Sequence, residues 1–461
     1  MRLSHSVSEV SAVFDDPNLV SCGGLVPVLA LARRCGLADL VASTLTLKAR
    51  GGVNAQVKVP GLVAGMVAGA DSITDLDLLR HGGMGRVVTG VRAPSTMGTF
   101  LRSFTFGHVR QLDAVAARFL TRLSGHTPLL PGIGQVCFVD VDDTIRETRG
   151  YAKQGAGYGY SRVKGLNVLL GVVSTPVAAP VIAATRLRRG PTNSARGAAR
   201  LIADTLRTAA ACGASGLVIV RADSAYYGHD VVAAAIRGGA RFSVTVRSNP
   251  AVTRAIGSIP DDSWIPIHYP NAVWDEDEQR WVSDAEVAEV GFTAFTSHPK
   301  ADQVTARLIV RRVKRLNPAT VSPGQGELFT GYRHHPVFTD SPMPMLDAEV
   351  CHRRHAVIEQ VIADLKAGPL AHLPSGSFPA NSAWLVAAAI AFNLTRAAGC
   401  LASVFHAKAA TATIRAQLIT VPARLARSAR RLVLHLPRDW PWQTAAEQLF
   451  TRALRAPPPA R

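Results

Sequence analysis

QVCFVDVDDT, residues 135–144, is the stretch on which the fold turns. Its first seven residues form a short apolar run rich in β-branched side chains, which reads as a buried strand. The run closes on Asp140-Val-Asp142-Asp143-Thr144, so carboxylates stand where the strand ends. Ahead of it, the Leu-Leu-Pro-Gly string at 129–132 marks a change of period. Behind it, strand-like runs follow at Leu166–Val173, Val181–Leu187, Gly216–Val220 and Ala240–Val246, with helical stretches at Ser194–Ala211 and His229–Ile236. Three strands, a helix, a strand, a helix and a strand predict an α/β fold: a mixed sheet with flanking helices.

Outward from this block the texture changes twice. Residues 1–130 read as helical, and Thr99–Leu123 alternates apolar and basic residues at helical spacing, which suits a DNA-binding region. Residues 131–250 hold the first part of the sheet. Residues 251–344 are rich in Pro, Trp and acidic residues with short β-like runs, and are expected to be a separate β-rich insertion. Residues 345–405 return to helix, at about Ala348–Lys366 and Ala383–Leu401, and complete the core. Residues 406–461 read as a basic helical tail.

The chain has 461 residues, 51 Lys and Arg against 33 Asp and Glu, and a net charge of +18. A field of that sign attracts polyanions, so nucleic acid or an anionic membrane surface is the expected partner. Nine Arg and one Lys stand against Asp439 and Glu447 between Leu401 and Arg461, which is nearly half of the surplus. Only eight of the cations are Lys. Arg forks onto phosphate bidentately, and an Arg-rich proteome gives the same bias, so both causes stay open. No segment reaches the ~20 uninterrupted apolar residues of a membrane helix, and Ala383–Leu394 is long enough only for a buried one. The six Cys are scattered without a CxxC pair, which argues against a disulfide framework or a zinc site and fits the cytoplasm.

Three acidic positions carry the chemistry. The first is in Asp140-Val-Asp142-Asp143-Thr144. The second is Asp223, in RADSAYYG at 221–228, directly after a strand. The third is Glu359, in HRRHAVIEQVIADLK at 352–366. Carboxylates at the C-terminal ends of strands point into the crevice where open α/β sheets place ligands. Two-metal phosphodiester chemistry asks for such a carboxylate set. At ~100° per residue, His352, His355, Glu359 and Lys366 fall on one helix face, opposite Val357, Ile358, Val361, Ile362 and Leu365. Each acid alone is also what a turn or a solvated helix carries; their joint placement is what matters.

On these residues the chain resembles the DDE transposases of bacterial insertion sequences, most closely the group numbered 1380. The strings GGLVPVLALARRCGL (23–37), GADSITDLDLLRHGGM (69–84), PSTMGTF (94–100), VDVDDT, RADSAYYG and HAVIEQVIADLK carry the likeness. The resemblance implies a ribonuclease H-like core interrupted by a β-rich insertion before the last acid. It implies Asp142, Asp223 and Glu359 as the catalytic, metal-binding acids for Mg2+ or Mn2+. Asp142 is taken over Asp140 because the family acid sits in an Asp-x-Thr string. It implies DNA as partner, both terminal inverted repeats and target, with a homodimer on paired ends and no membrane. The related Tyr-x2-Arg-x3-Glu-x6-Lys signature falls on His352, His355, Glu359 and Lys366, with Arg353 and Arg354 alongside, so His352, His355, Arg354 and Lys366 are the expected phosphate contacts. A base-stacking Trp in the insertion is expected among Trp264, Trp274 and Trp281.

Two other readings stay open at this point. Asp140-Val-Asp142-Asp143-Thr144 also fits the loop of haloacid-dehalogenase-type phosphatases, with Asp140 as nucleophile. A catalytically inactive relative that only binds DNA would keep the same residues.

Overall fold

The computed structural model describes residues 4, 10–48, 50–149, 152–159, 161–267, 273–275, 280–282, 285–314, 332–428 and 431–454. They divide into two compact units. One holds residues 116–366 and 376–378; the other holds residues 1–115, 367–375 and 379–461.

The first unit is built on the strand that the sequence opens with. β1 (Val136–Glu147) pairs antiparallel with β2 (Lys164–Ser174), and β2 pairs antiparallel with β3 (Val181–Arg189). α1 (Ala198–Ala211) leads to β4 (Leu217–Ala222), and α2 (His229–Arg237) leads to β5 (Arg241–Thr245). β4 lies parallel to β1, and β5 parallel to β4, so the spatial order is β3-β2-β1-β4-β5. β2 is buried along nearly its whole length, which is why it reads as a continuous apolar run rather than an alternating one. α1 packs closely on β2: a Cβ at Gly171 would come within 2.0 Å of Thr205 Oγ1.

After α3 (Pro250–Gly257), whose first N–H groups are capped by Asn249, the chain returns to strand. β6 (Ala285–Ala294), β7 (Val304–Lys314) and β8 (Tyr332–Thr339) run antiparallel to their neighbours. The stretch is β-rich as expected, but it is no separate insertion. β8 pairs with β5 through Val337↔Thr245 and Thr339↔Ser243, so β8, β7 and β6 continue the core sheet, which reaches ten strands with the short segments Gly157–Tyr158 and Ile265–Ile267 at its two ends. An open edge at β5 would leave a row of unpaired N–H and C=O groups, and β8 covers it. Trp264 is buried under the Arg312 guanidinium, 4.1 Å from its ring centroid, and so packs this sheet rather than waiting for a base.

The helix expected over Ala348–Lys366 is two helices. α4 (Met345–Arg353) and α5 (Val357–Lys366) are joined by a 3-10 turn at Arg354–Ala356. Tertiary contacts hold the end of α4: the Arg221 guanidinium donates to the Cys351 carbonyl at 2.7 Å, and His352 is bonded to β5. The last carbonyls of a helix need such partners.

The second unit is organised around a 25-residue helix, Phe378–Ala402, with almost every side chain from Ala380 onward buried. Among the described residues it is the one helix long and apolar enough to cross a membrane, and 94% of its apolar window is buried inside the fold. Residues 379–405, grouped with the sheet on sequence grounds, pack here instead. The tail is not simply helical: Ala423–Ser428 and Arg431–His435 form a hairpin, and Leu19–Val20 adds a third strand to it. Gly23 and Gly24 donate to the carbonyls of Val421 and Ile419, and a Cβ at Gly24 would lie 1.8 Å from the Leu418 carbonyl oxygen. The N-terminal region and the tail therefore form one body. RLVLH is a short apolar run between polar ends, which periodicity alone does not assign to helix or strand.

Gly171→Ala is expected to destabilise the first unit by about 1–3 kcal/mol in chemical denaturation, as overpacking does. Thr205→Ala should recover part of that loss. Additive losses would place the close contact elsewhere.

Candidate active site

The parallel register of β1 and β4 builds the site. Asp140 stands opposite Arg221 and Val141 opposite Ala222, so the next step along both chains sets Asp142 beside Asp223. Alternate residues of a strand share a face. One face therefore carries three rungs in succession. Phe138 and Ile219 form an apolar rung closed by Cys351. Asp140 and Arg221 form a buried bidentate pair at 2.7 Å on both arms. Asp142 and Asp223 form the last rung, at the C-terminal ends of the strands. The Asp223 carboxylate also caps the turn Ser224–Tyr226 by accepting from the Ala225 N–H at 2.8 Å.

The surroundings of Asp142 show which groups share its space. Burial first, and then the charges of Asp223, Asp143 and Glu359, push its carboxyl up to about 7, against the Asp143 N–H, which bonds its Oδ1 at 2.7 Å. Glu359 lies exposed in the first turn of α5. The three expected acids are thus brought into one electrostatic neighbourhood. Lys366, half-buried at the end of α5, feels Asp142 as well; burial and the like charge of Arg146 hold its pKa below the ordinary value. Arg146 is on β1, four residues beyond Asp142 and on the same face.

The histidines separate. His352 is buried with Nδ1 2.9 Å from Ser243 Oγ and Nε2 2.8 Å from Thr245 Oγ1, and burial pushes its pKa down to about 3. It is a neutral bracket between α4 and β5, with no ring nitrogen left for a phosphate, so the expected DNA contact is corrected. The one-face projection also fails there, because the 3-10 turn interrupts the helix between His352 and Glu359. His355 stacks on His352 at 5.8 Å and does reach the acids. Burial lowers its pKa, while the charges of Asp140, Asp223 and Glu359 raise it. Its Nε2 is buried without a hydrogen-bond partner among the described residues. Arg354 is exposed on the turn. Trp274 and Trp281 stand opposite each other in the paired strands Val273–Asp275 and Arg280–Val282, and their side chains lie outside the described residues.

Asp140 is fully buried and both its oxygens accept from Arg221. Sealed from solvent and tied up in a bidentate ion pair, it is out of reach of a substrate phosphorus, which removes the phosphatase reading. A family model described as Transposase DDE domain group 1 matches residues 4–458. The chain belongs to the DDE transposase family. No curated protein matches it.

DDE transposases generally work with a divalent metal ion, and the residues present suit one by chemistry. Carboxylates that repel one another and a carboxyl raised to about 7 are relieved together by a hard cation. Among the described residues no three His, Cys, Asp or Glu side chains converge as an assembled ligand cage.

The transposase site has a second polar layer that the sequence reading missed. Asp143, on the opposite face from Asp142, accepts from Tyr226 and Asn167 and faces Arg188 at 3.2 Å. The Asp140–Arg221 pair was missed too. The signal was present: Asp140-x-Asp142 and Arg221-x-Asp223 repeat the same spacing on the two strands, and parallel register turns that into an ion pair beneath an acid pair.

A carboxyl raised from 3.8 to about 7 takes up a proton on folding between those values, so stability falls as pH rises through that window. Asp142→Asn lacks that dependence. In EDTA, its Tm relative to wild type should climb between pH 4 and pH 8 (roughly the window's limits); a flat difference would mean that Asp142 is not held this way.

Proposed function

We propose that this transposase hydrolyses DNA at the ends of its element and joins the freed ends to target DNA, using Mg2+, with Mn2+ as a substitute. The observation that carries the reading is the register that sets Asp142 beside Asp223, with Glu359 close enough to act on the same carboxyl. We place it with the bacterial insertion-sequence group numbered 1380. The order β3-β2-β1-β4-β5, with β1, β4 and β5 parallel, supports a ribonuclease H-like core. The sheet extension enters between β5 and the helix of Glu359, where such an insertion is expected.

In this reading Asp142, Asp223 and Glu359 hold the metal ions. When bound, a pair of dications supplies Lewis acidity for the attacking and leaving oxygens of phosphodiester exchange. The chain's own residues do the rest. Lys366 and Arg146 present positive charge beside Asp142, where a scissile phosphate has to lie. In the tautomer that carries its proton on Nε2, His355 has an N–H without a partner among the described residues to donate to a phosphate oxygen. Arg354, exposed on the turn, reaches the DNA backbone outside the acid centre. His352 takes no direct part; it holds α4 on β5. Trp274 and Trp281 remain the candidates for stacking on an unpaired base. The protein acts on terminal inverted repeats as a homodimer on paired ends, in the bacterial cytoplasm at the nucleoid.

The test is cleavage of DNA carrying the element's own terminal repeats in Mg2+. Asp142→Asn, Asp223→Asn and Glu359→Gln should each lose cleavage by at least about a thousandfold, equivalent to ~4 kcal/mol of transition-state stabilisation, while binding the same DNA. Cleavage at wild-type rate by any of them defeats the assignment.

Binding itself should weaken steeply with salt. Each phosphate neutralised by Lys or Arg contributes a slope of about −0.9 in log affinity against log salt. A slope near zero would mean that the surplus of +18 is not used on DNA.

A further inference from the structure

Asp142 and Asp223 sit on different segments, and Asp142 is followed by a residue on the opposite strand face, Asp143. On that far side one carboxylate gathers four segments. Asp143 Oδ1 accepts from the Tyr226 hydroxyl at 2.5 Å. Its Oδ2 accepts from Asn167 Nδ2 on β2 and faces the Arg188 guanidinium of β3 at 3.2 Å. The guanidinium is itself held on every side. It donates to Asn167 Oδ1 at 2.8 and 2.6 Å, and to the carbonyls of Ser194 and Arg196 at 2.8 and 2.6 Å. Tyr226, Asn167 and Arg188 are all buried.

Such a cluster is an expensive way to fill a core, since buried polar groups must all be satisfied to be tolerated. Its placement indicates what it does. Tyr226 ends the short turn that Asp223 caps, and its hydroxyl bonds the residue next to Asp142. Beyond the last ladder pair, Val141↔Ala222, the segment that carries Asp223 is tied to β1 by one phenol–carboxylate bond on the far face, above the Asp140–Arg221 pair on the near face. Neither Tyr226 nor Arg188 has an atom free to meet DNA.

We propose that Tyr226 and Arg188 are positioning residues, which act through Asp143 to fix the spacing of Asp142 and Asp223 and so the affinity of that pair for a divalent cation. This rests on the assignment of Asp142 and Asp223 as metal-binding acids. Loss of a group that supports metal ligands from behind typically weakens metal binding about 10–100-fold.

The experiment titrates the full-length protein with Mn2+ by isothermal calorimetry without DNA, and measures affinity for terminal-repeat DNA in EDTA in parallel. Tyr226→Phe keeps the ring and removes only the hydroxyl. It should weaken Mn2+ binding about tenfold, leave DNA affinity in EDTA unchanged, and regain cleavage as metal is raised. Asp143→Asn is titrated as well and should weaken Mn2+ in the same direction, so the result does not hang on one variant folding. Trp384→Phe is the control for a merely structural loss. It removes a comparably buried bond, from Nε1 to the Pro369 carbonyl, in the other unit, and should lower Tm without moving Mn2+ affinity.

Wild-type Mn2+ affinity in both Tyr226→Phe and Asp143→Asn overturns the proposal. So does a loss of DNA affinity in EDTA that parallels the loss of metal. If wild type and Asp142→Asn bind Mn2+ equally, the acid assignment itself fails, and this outcome is distinguishable from the first.

Discussion

The ion pair between Asp140 and Arg221 is the constraint from which the site is built. Both side chains are excluded from water, and both carboxylate oxygens are occupied at 2.7 Å. A charge buried that deeply is tolerable only with its partner in good geometry, and removing one member alone costs about 3–5 kcal/mol. The same guanidinium stacks 4.1 Å from the Phe138 ring centroid and donates to the Cys351 carbonyl. One side chain thus joins β1 to β4 and holds the end of α4 over that seam. The position of α5, and with it Glu359, follows from where α4 is made to stop.

Above this pair the electrostatics reverse. The next rung holds two carboxylates where the one below holds a carboxylate and a cation. Asp142 responds by holding its proton up to about 7. An arrangement of that kind costs stability in the absence of positive charge and is relieved by its arrival. The fold resists the repulsion from both sides, through Arg221 on one face and through Tyr226, Asn167 and Arg188 on the other. These two clamps explain how two like charges are kept at adjacent strand positions without the strands parting.

Much of this was legible in the sequence because it is local. β1 through β5 and the helices between them announce themselves by period, and the acids by their position at strand ends. What was not legible depends on distant partners. The break at Arg354–Ala356 is tied to Arg221, 130 residues away, and to hydroxyls on β5. Helical periodicity placed His352 with Glu359; Ser243 and Thr245 turn it inward. The pairing of β8 with β5 depends on an open sheet edge that composition cannot report. The hairpin Ala423–Ser428 with Arg431–His435 is stabilised by a strand from the other end of the chain, Leu19–Val20.

The excess of Arg over Lys, ambiguous in composition, acquires a third cause. Arg188, Arg221, Arg307 and Arg396 each turn a guanidinium onto backbone carbonyls: Arg188 on Ser194 and Arg196, Arg221 on Cys351, Arg307 on Ser341 and Met343, Arg396 on Ala407 and Ala409. Arg307 and Arg312 also pair across strands with Glu289 and Glu286. A planar fork with five donors can satisfy two acceptors at once and is less strongly hydrated than an ammonium, so Lys would not serve at these sites. Part of the cationic surplus is therefore internal bracing. The formal surplus is weighted towards the unit without the acids, where 22 Lys and Arg stand against 10 Asp and Glu. Attracting a polyanion and gathering carboxylates are opposed electrostatic tasks, and most of the formal surplus lies away from the unit that gathers the carboxylates.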